Sequence, residues 1–135
     1  MSKYLERAKV LRAIVTPHYN CCQSVVLPFA PDAGMTEEDA YRMAYHFAAG
    51  MRMGGTCGAV TGGLMVLGLF GVDDPEVIAD YYARYKARHN DMMNCADLLR
   101  VNAEAGREKK PHCDALVFEL VTLVETILRE QGKIQ

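Results

Sequence analysis

The chain's capacity for chemistry rests on five cysteines, Cys21, Cys22, Cys57, Cys95 and Cys113. A thiolate attacks disulfides, gives up electrons and binds soft metals; the protonated thiol does these things poorly. The count is odd, and residues 1–7 lack the apolar stretch of a secretion signal. The cytoplasm is therefore the expected compartment, where thiols stay reduced and structural disulfides are not expected. No Cys-x-x-Cys pair occurs, so neither a zinc ribbon nor a thioredoxin-like motif is indicated. Scattered cysteines can still hold an iron–sulfur cluster, although no local signature marks one here. They can also fill a core, because free cysteine behaves as a small hydrophobe. Cys21 and Cys22 project about 100° apart on a helix, so the two seldom share one site.

Two regularities link the others. Cys21 precedes Val25, Cys57 precedes Val60, Cys95 precedes Leu98 and Leu99, and Cys113 precedes Leu116 and Val117. Three- and four-residue spacing puts each thiol on an inward helix face. Each also falls near the expected start of a helix, whose free N–H groups and partial positive charge favour the thiolate. In a helical bundle, inward side chains at one level can converge on one site.

The elements that must position them are helices. Residues 3–15 carry Leu5, Ala8, Leu11 and Val15 at helical spacing. Thr16-Pro17 reads as the cap and first residue of a second helix, with Cys21, Cys22, Val25, Val26 and Phe29, ending around Pro28–Gly34. Thr36 followed by three acids opens a third helix to about Gly50, with Ala40, Met43, Ala44, Phe47 and Met51 as its apolar face. A glycine-rich helix begins near Cys57. Asp74-Pro75 starts the next, with Val77, Ile78, Tyr81, Tyr82 and Tyr85, reaching about His89. After a break at Asn90–Asn94 comes a short helix with Cys95, then a polar loop over 102–110. A last helix runs from Pro111 to before Gly132. No stretch alternates as a strand. The prediction is all-α: one domain over 1–135, a bundle of five to seven helices with a Gly-rich central helix.

That central stretch, residues 50–72, holds eight of the eleven glycines. Gly58 and Gly62 clear one helix face, so that another helix or a bound group can approach the backbone. The net charge of −2, with interspersed signs, gives no nucleic-acid footprint. The longest apolar run, Ala59–Val72, is too short and too broken for membrane insertion. His18, three residues before Cys21, and His112, beside Cys113, are candidate ligands or proton donors. Met43, Met51, Met53 and Met65, with the tyrosines, could line an apolar pocket, or simply pack in the core.

The run Asn20-Cys-Cys-Gln-Ser-Val25, the core Gly55-Thr-Cys-Gly-Ala-Val-Thr-Gly62, Cys95 before Leu98-Leu99, and Cys113 opening the last helix resemble the C_GCAxxG_C_C family of redox-active proteins. The likeness extends from about residue 8 to 130. It implies that Cys21, Cys57, Cys95 and Cys113 are the working thiols, with Gly58, Ala59 and Gly62 completing the core motif. It implies an iron–sulfur cluster or another thiolate-bound metal, or else a dithiol/disulfide pair. It also implies an unidentified redox partner and a link to a membrane transporter system. Cys22 departs from the family pattern, where a small residue such as alanine is usual. A helical module that binds a small ligand or forms a homodimer, with its cysteines as core filler, is the alternative of another class.

Overall fold

The computed structural model describes residues 2–135, and its architecture is all-α. Seven α-helices follow in order: α1 (Lys3–Ala13), α2 (Cys21–Val26), α3 (Glu37–Met43), α4 (Gly58–Leu69), α5 (Pro75–Ala87), α6 (Cys95–Glu104) and α7 (Lys109–Glu130). A short helical turn, Pro31–Ala33, joins α2 to α3. Among the described residues no helix is long and apolar enough to cross a membrane.

α7 is the longest helix and packs on α1, α2 and α4, while α2 and α4 make the most intimate crossing. Leu116, Val117, Leu120, Val121, Val124, Ile127 and Leu128 form its buried stripe. The core they enter holds Ala8 and Leu11 from α1, Val25 and Val26 from α2, and Ala59, Val60, Val66 and Leu67 from α4.

The helix that carries Cys21 starts later than Thr16-Pro17 predicts. Val15–His18 form turns, and Asn20 caps α2 instead. The Asn20 side chain accepts from the Gln23 N–H at 2.9 Å, and the Gln23 side chain accepts from the Asn20 N–H at 2.9 Å. This reciprocal cap satisfies two otherwise orphaned donors and fixes Cys21 as the first helical residue. Asn20 also donates to the Tyr45 carbonyl at 3.0 Å, and the buried Gln23 donates to that of Tyr41 at 2.8 Å. Asn20→Ala should lower stability by about 1–2 kcal/mol, read as a lower urea midpoint with an unchanged slope.

Three other boundaries differ. α3 stops at Met43, well short of Gly50, because the chain turns left-handed at Ala49, Gly50, Met51 and Arg52 (φ 51°, 62°, 58° and 62°). Met51 therefore leaves the predicted apolar face and stands 42% exposed, and Met43, the last residue of α3, faces outward at 41%. α6 extends to Glu104 and α7 starts at Lys109, shrinking the loop between them to 105–108. Pro111 sits in the first turn of α7, where its missing N–H would have no intrahelical partner anyway.

Candidate functional site

Two of the cysteines are clasped together by main chain. Thr56 and Asn94 form an antiparallel bridge. On either side of it, the Cys57 N–H donates to the Met93 carbonyl at 2.7 Å and the Cys95 N–H to the Gly55 carbonyl at 2.6 Å. Cys57 thereby becomes the cap residue of α4 and Cys95 the first residue of α6. The segments leading into this clasp are strained. Among the described residues, the non-glycine residues with positive φ are Ala49, Met51 and Arg52 before Cys57, and Asn90 and Asp91 before Cys95. Ala49, Met51 and Arg52 each cost about 1–2 kcal/mol in this conformation and persist only where surrounding contacts over-determine them, whereas Asn90 and Asp91 adopt it more readily; such strain gathers at functional sites. Gly50, with a φ of 62°, is needed as well: a Cβ there would overlap the backbone N and O of Gly55.

Cys21 reaches the clasp through the glycine-cleared face of α4. A Cβ on Gly58 would lie 2.5 Å from the Cys21 sulfur and 2.7 Å from the Phe47 carbonyl oxygen. The sulfur thus occupies the space of an absent side chain, one residue beyond Cys57. Gly62 has a different neighbour: a Cβ there would sit 3.0 Å from the Cys22 carbonyl oxygen and 3.1 Å from Val25 Cβ. It admits the α2 backbone. Ala59 is fully buried in the core.

Cys113 lies in the second turn of α7, held by a residue that the cysteine pattern does not point to. Arg12 at the end of α1 donates from Nε to Asp114 at 2.7 Å and from Nη1 to the Tyr19 carbonyl at 2.8 Å. Lys110 adds bonds to the Arg12 carbonyl at 3.0 Å and to Asp114 at 2.9 Å. Arg12 thus joins the residue after Cys113 to the segment leading into Cys21. Its sequence signal is slight, an arginine at the edge of the Ala8–Leu11–Val15 stripe.

Electrostatics link all five thiols. A charge on Cys21 disfavours ionisation at Cys22, Cys57, Cys95 and Cys113, and Cys95 is felt by both Cys57 and Cys113. Burial, and then the proximity of Cys21, pushes the Cys57 thiol up to about 12 against the lowering effect of the Ala59 and Val60 N–H groups. Burial also raises Cys95 and Cys113, only partly opposed by Lys109 at both and by Arg12 at Cys113. The expectation that helix starts favour thiolates therefore fails at Cys57, Cys95 and Cys113. The helix N–H groups do act on Cys57, but desolvation of a buried charge outweighs them. Cys22 turns elsewhere, fully buried with its sulfur 3.8 Å from that of Met65, and burial drives its thiol higher still.

The remaining candidates divide. His18 is exposed on the turn before α2. His112 Nε2 is buried without a partner, and burial, followed by the neighbouring His89 and Arg107, lowers its basicity. Met53 is 78% exposed and Met51 is also at the surface, so neither lines an enclosed pocket. A groove of about 470 Å³ beside Arg84, Phe118, Glu119 and Leu123 contains none of the cysteines. Tyr81 donates its hydroxyl to the Val60 carbonyl at 2.6 Å, in the gap left by Gly63. Tyr85 is fully buried, its ring stacked 4.5 Å from His89 and its hydroxyl without a partner.

Among the described residues, no three His, Cys, Asp or Glu side chains stand grouped to hold a metal ion. None is a disulfide partner either: all five cysteines are free. A thiolate-bound centre fits by the chemistry of the donors alone, since Cys21, Cys57, Cys95 and Cys113 are free, soft ligands. Binding would require the thiols to close together and lose their protons.

Comparison with curated proteins and with solved structures gave no match. The family model described as "Putative redox-active protein (C_GCAxxG_C_C)" matches residues 19–127, a span that contains all five cysteines, the clasp and the Cys21–Gly58 contact. The chain belongs to the C_GCAxxG_C_C family.

Proposed function

We propose that Cys21, Cys57, Cys95 and Cys113 act as one redox site that takes up an iron–sulfur cluster or another thiolate-bound metal. The observation that carries this reading is the position of Cys21. Its sulfur fills the Gly58 gap beside Cys57, and its charge is felt by Cys57, Cys95 and Cys113, as well as by Cys22. The raised thiol ionisation of Cys57, Cys95 and Cys113 argues against a freely nucleophilic dithiol among those three at neutral pH. It suits a metal site, because a bound cation replaces the protons and offsets the repulsion between thiolates. Such a centre supplies electron exchange. The chain's part is to orient the Cys57 and Cys95 sulfurs through the clasp, and to exclude water around Cys57, which is only 4% exposed. The Ala59 and Val60 N–H groups temper charge at Cys57. In a second reading, two of the five free thiols cycle to a disulfide.

Anaerobic purification with iron, sulfide and zinc analysis, a visible spectrum and a thiol count tests both. The expected result is stoichiometric metal, lost at least tenfold in Cys21→Ala, Cys57→Ala, Cys95→Ala and Cys113→Ala but retained in Cys22→Ala. A metal-free chain that reversibly loses two thiols on mild oxidation selects the disulfide. A metal-free chain whose thiol count never changes defeats both readings.

A further inference from the structure

A groove of about 320 Å³ lies between the end of α5, α6 and the first half of α7, and none of the five cysteines lines it. Its apolar wall is made by Met92, Leu98, Val101 and Leu116. Val101 stands 41% exposed there. A lone surface valine needs no explanation, but this one borders polar groups that the chain itself leaves open.

Those groups are placed by dedicated contacts. Asn102, only 7% exposed, donates from Nδ2 to the Arg107 carbonyl at 3.2 Å and to the Glu108 carbonyl at 3.0 Å. The Arg107 N–H returns to the Asn102 carbonyl at 3.1 Å, and Gly106 makes the turn with a φ of 75°. A buried amide is thus committed to holding the backbone of Arg107 beside the groove. Among the described residues the Arg107 guanidinium has no hydrogen bond or ion pair. His112 lines the same groove, and its Nε2 is shielded from water and without a partner. Such an atom calls for an explanation, because buried polar groups are nearly always paired. A neutral imidazole carries its hydrogen on Nε2 in one of its two tautomers, so the atom can donate.

Charge selects the occupant. Two guanidiniums, Arg88 and Arg107, line the groove, against Glu119 as its one carboxylate among the described residues. Glu119 is already engaged, by His89 at 2.8 Å and with Arg88 Nε 3.9 Å away. Glu108 lines only the adjoining groove, which shares Arg107 and His112. A cation entering here would meet a surplus of positive charge, whereas an anion would meet two open donors above an apolar wall. Few, convergent polar groups on a mostly apolar surface are the usual make-up of a small-molecule site, and a guanidinium fork matches a carboxylate.

We propose that this groove binds a small organic acid, its ring-sized apolar body against Leu98, Val101 and Leu116 and its carboxylate held by the Arg107 guanidinium and His112 Nε2–H. Leu98 and Leu116 stand one turn beyond Cys95 and Cys113, so the occupant lies beside helix turns that carry two of the thiols. The inference is independent of whether those thiols hold a metal.

Titration of the whole reduced chain with benzoate, followed by amide NMR shifts, tests it. Benzoate should bind at low ionic strength with a dissociation constant on the order of 1 mM or lower, shifting Val101, Arg107 and His112. Benzamide keeps the ring without the charge, and inorganic phosphate keeps charge without the ring; each should bind about tenfold more weakly. Arg107→Gln should weaken benzoate about tenfold and leave benzamide unchanged, and His112→Phe should weaken benzoate in the same direction. Arg107 is exposed, so its variant carries the test if His112→Phe fails to fold. Arg84→Gln, in the separate groove of α5 and α7, should change nothing.

No benzoate shift by about 10 mM overturns the proposal. Benzamide or phosphate binding as tightly as benzoate overturns the ligand class. Benzoate affinity unaltered by Arg107→Gln puts the molecule elsewhere and overturns the site. Shifts at His89 and His112 with Zn²⁺, and none with benzoate, overturn it in favour of a cation site. Each of these results leaves the thiol reading standing.

Discussion

Gly58→Ala is expected to lower stability by about 2 kcal/mol and to displace the Cys21 sulfur, whereas Gly68→Ala, on the same helix, should raise stability by about 1 kcal/mol. Both substitutions gain the same helix propensity, roughly 1 kcal/mol. Their surroundings differ. Around Gly68 a new Cβ meets nothing within 4 Å. Around Gly58 it would lie 2.5 Å from the Cys21 sulfur, 2.7 Å from the Phe47 carbonyl oxygen and 3.0 Å from Ala48 Cα. The sulfur can swing away, but the two backbone atoms cannot yield without moving the segment that leads into the left-handed turn. Overpacking of this kind typically costs about 1–3 kcal/mol, enough to outweigh the propensity gain. Urea unfolding of the two variants measures the difference in sign. Metal content, or the thiol count after oxidation, measures the displaced sulfur. If Gly58→Ala were as stable as Gly68→Ala, with Cys21 still coupled to the site, the close approach would carry no weight.

The contrast also shows why residues 50–72 can be read only in part from sequence. Glycines four apart announce that something approaches the helix, but not what. Gly58 admits a sulfur, Gly62 a neighbouring backbone and Gly63 a tyrosine hydroxyl. The helices themselves were readable, because the apolar spacing of α5 and α7 follows their buried faces; α1 follows its own at Ala8 and Leu11 but ends at Ala13, which leaves Val15 80% exposed. So was the inward direction of Cys57, since Val60, one turn on, enters the same core. The left-handed stretch at Ala49–Arg52 was not. Alanine, methionine and arginine adopt such a turn only under the constraint of their surroundings, and nothing local encodes it. The thiol ionisation was misread for a related reason. The helix start is a local feature, whereas burial and the approach of Cys21 arise from tertiary packing. Arg12 was missed because its partner Asp114 lies at the far end of the chain.

Arg12→Ala should cost about 3 kcal/mol near neutral pH. The guanidinium is 7% exposed and its partner carboxylate 23%, so removing it leaves a partly buried charge to Lys110 alone and the Tyr19 carbonyl with only a long bond from Ser24. Arg12→Lys should recover only part of the loss, since an ammonium lacks the fork that serves Asp114 and Tyr19 together. The effect has a defined pH dependence. Burial pushes the Asp114 carboxyl up, but bonds from Lys110 and Arg12 outweigh it and hold the group below its usual range. A carboxyl depressed by folding adds stability that is complete above its unfolded value, about 4, and is lost as the pH falls through the lower folded value. The gap between wild type and Arg12→Ala in urea midpoint should therefore be widest above about pH 5 and narrow in acid. A gap that stayed constant with pH would assign Arg12 to packing and to Tyr19 alone. Because Arg12 fastens the start of α2 to α7, the variant should also lose metal, or disulfide cycling, although it touches no sulfur. Stability and site chemistry failing together would show that the thiols are assembled by tertiary contacts between α1, α2 and α7.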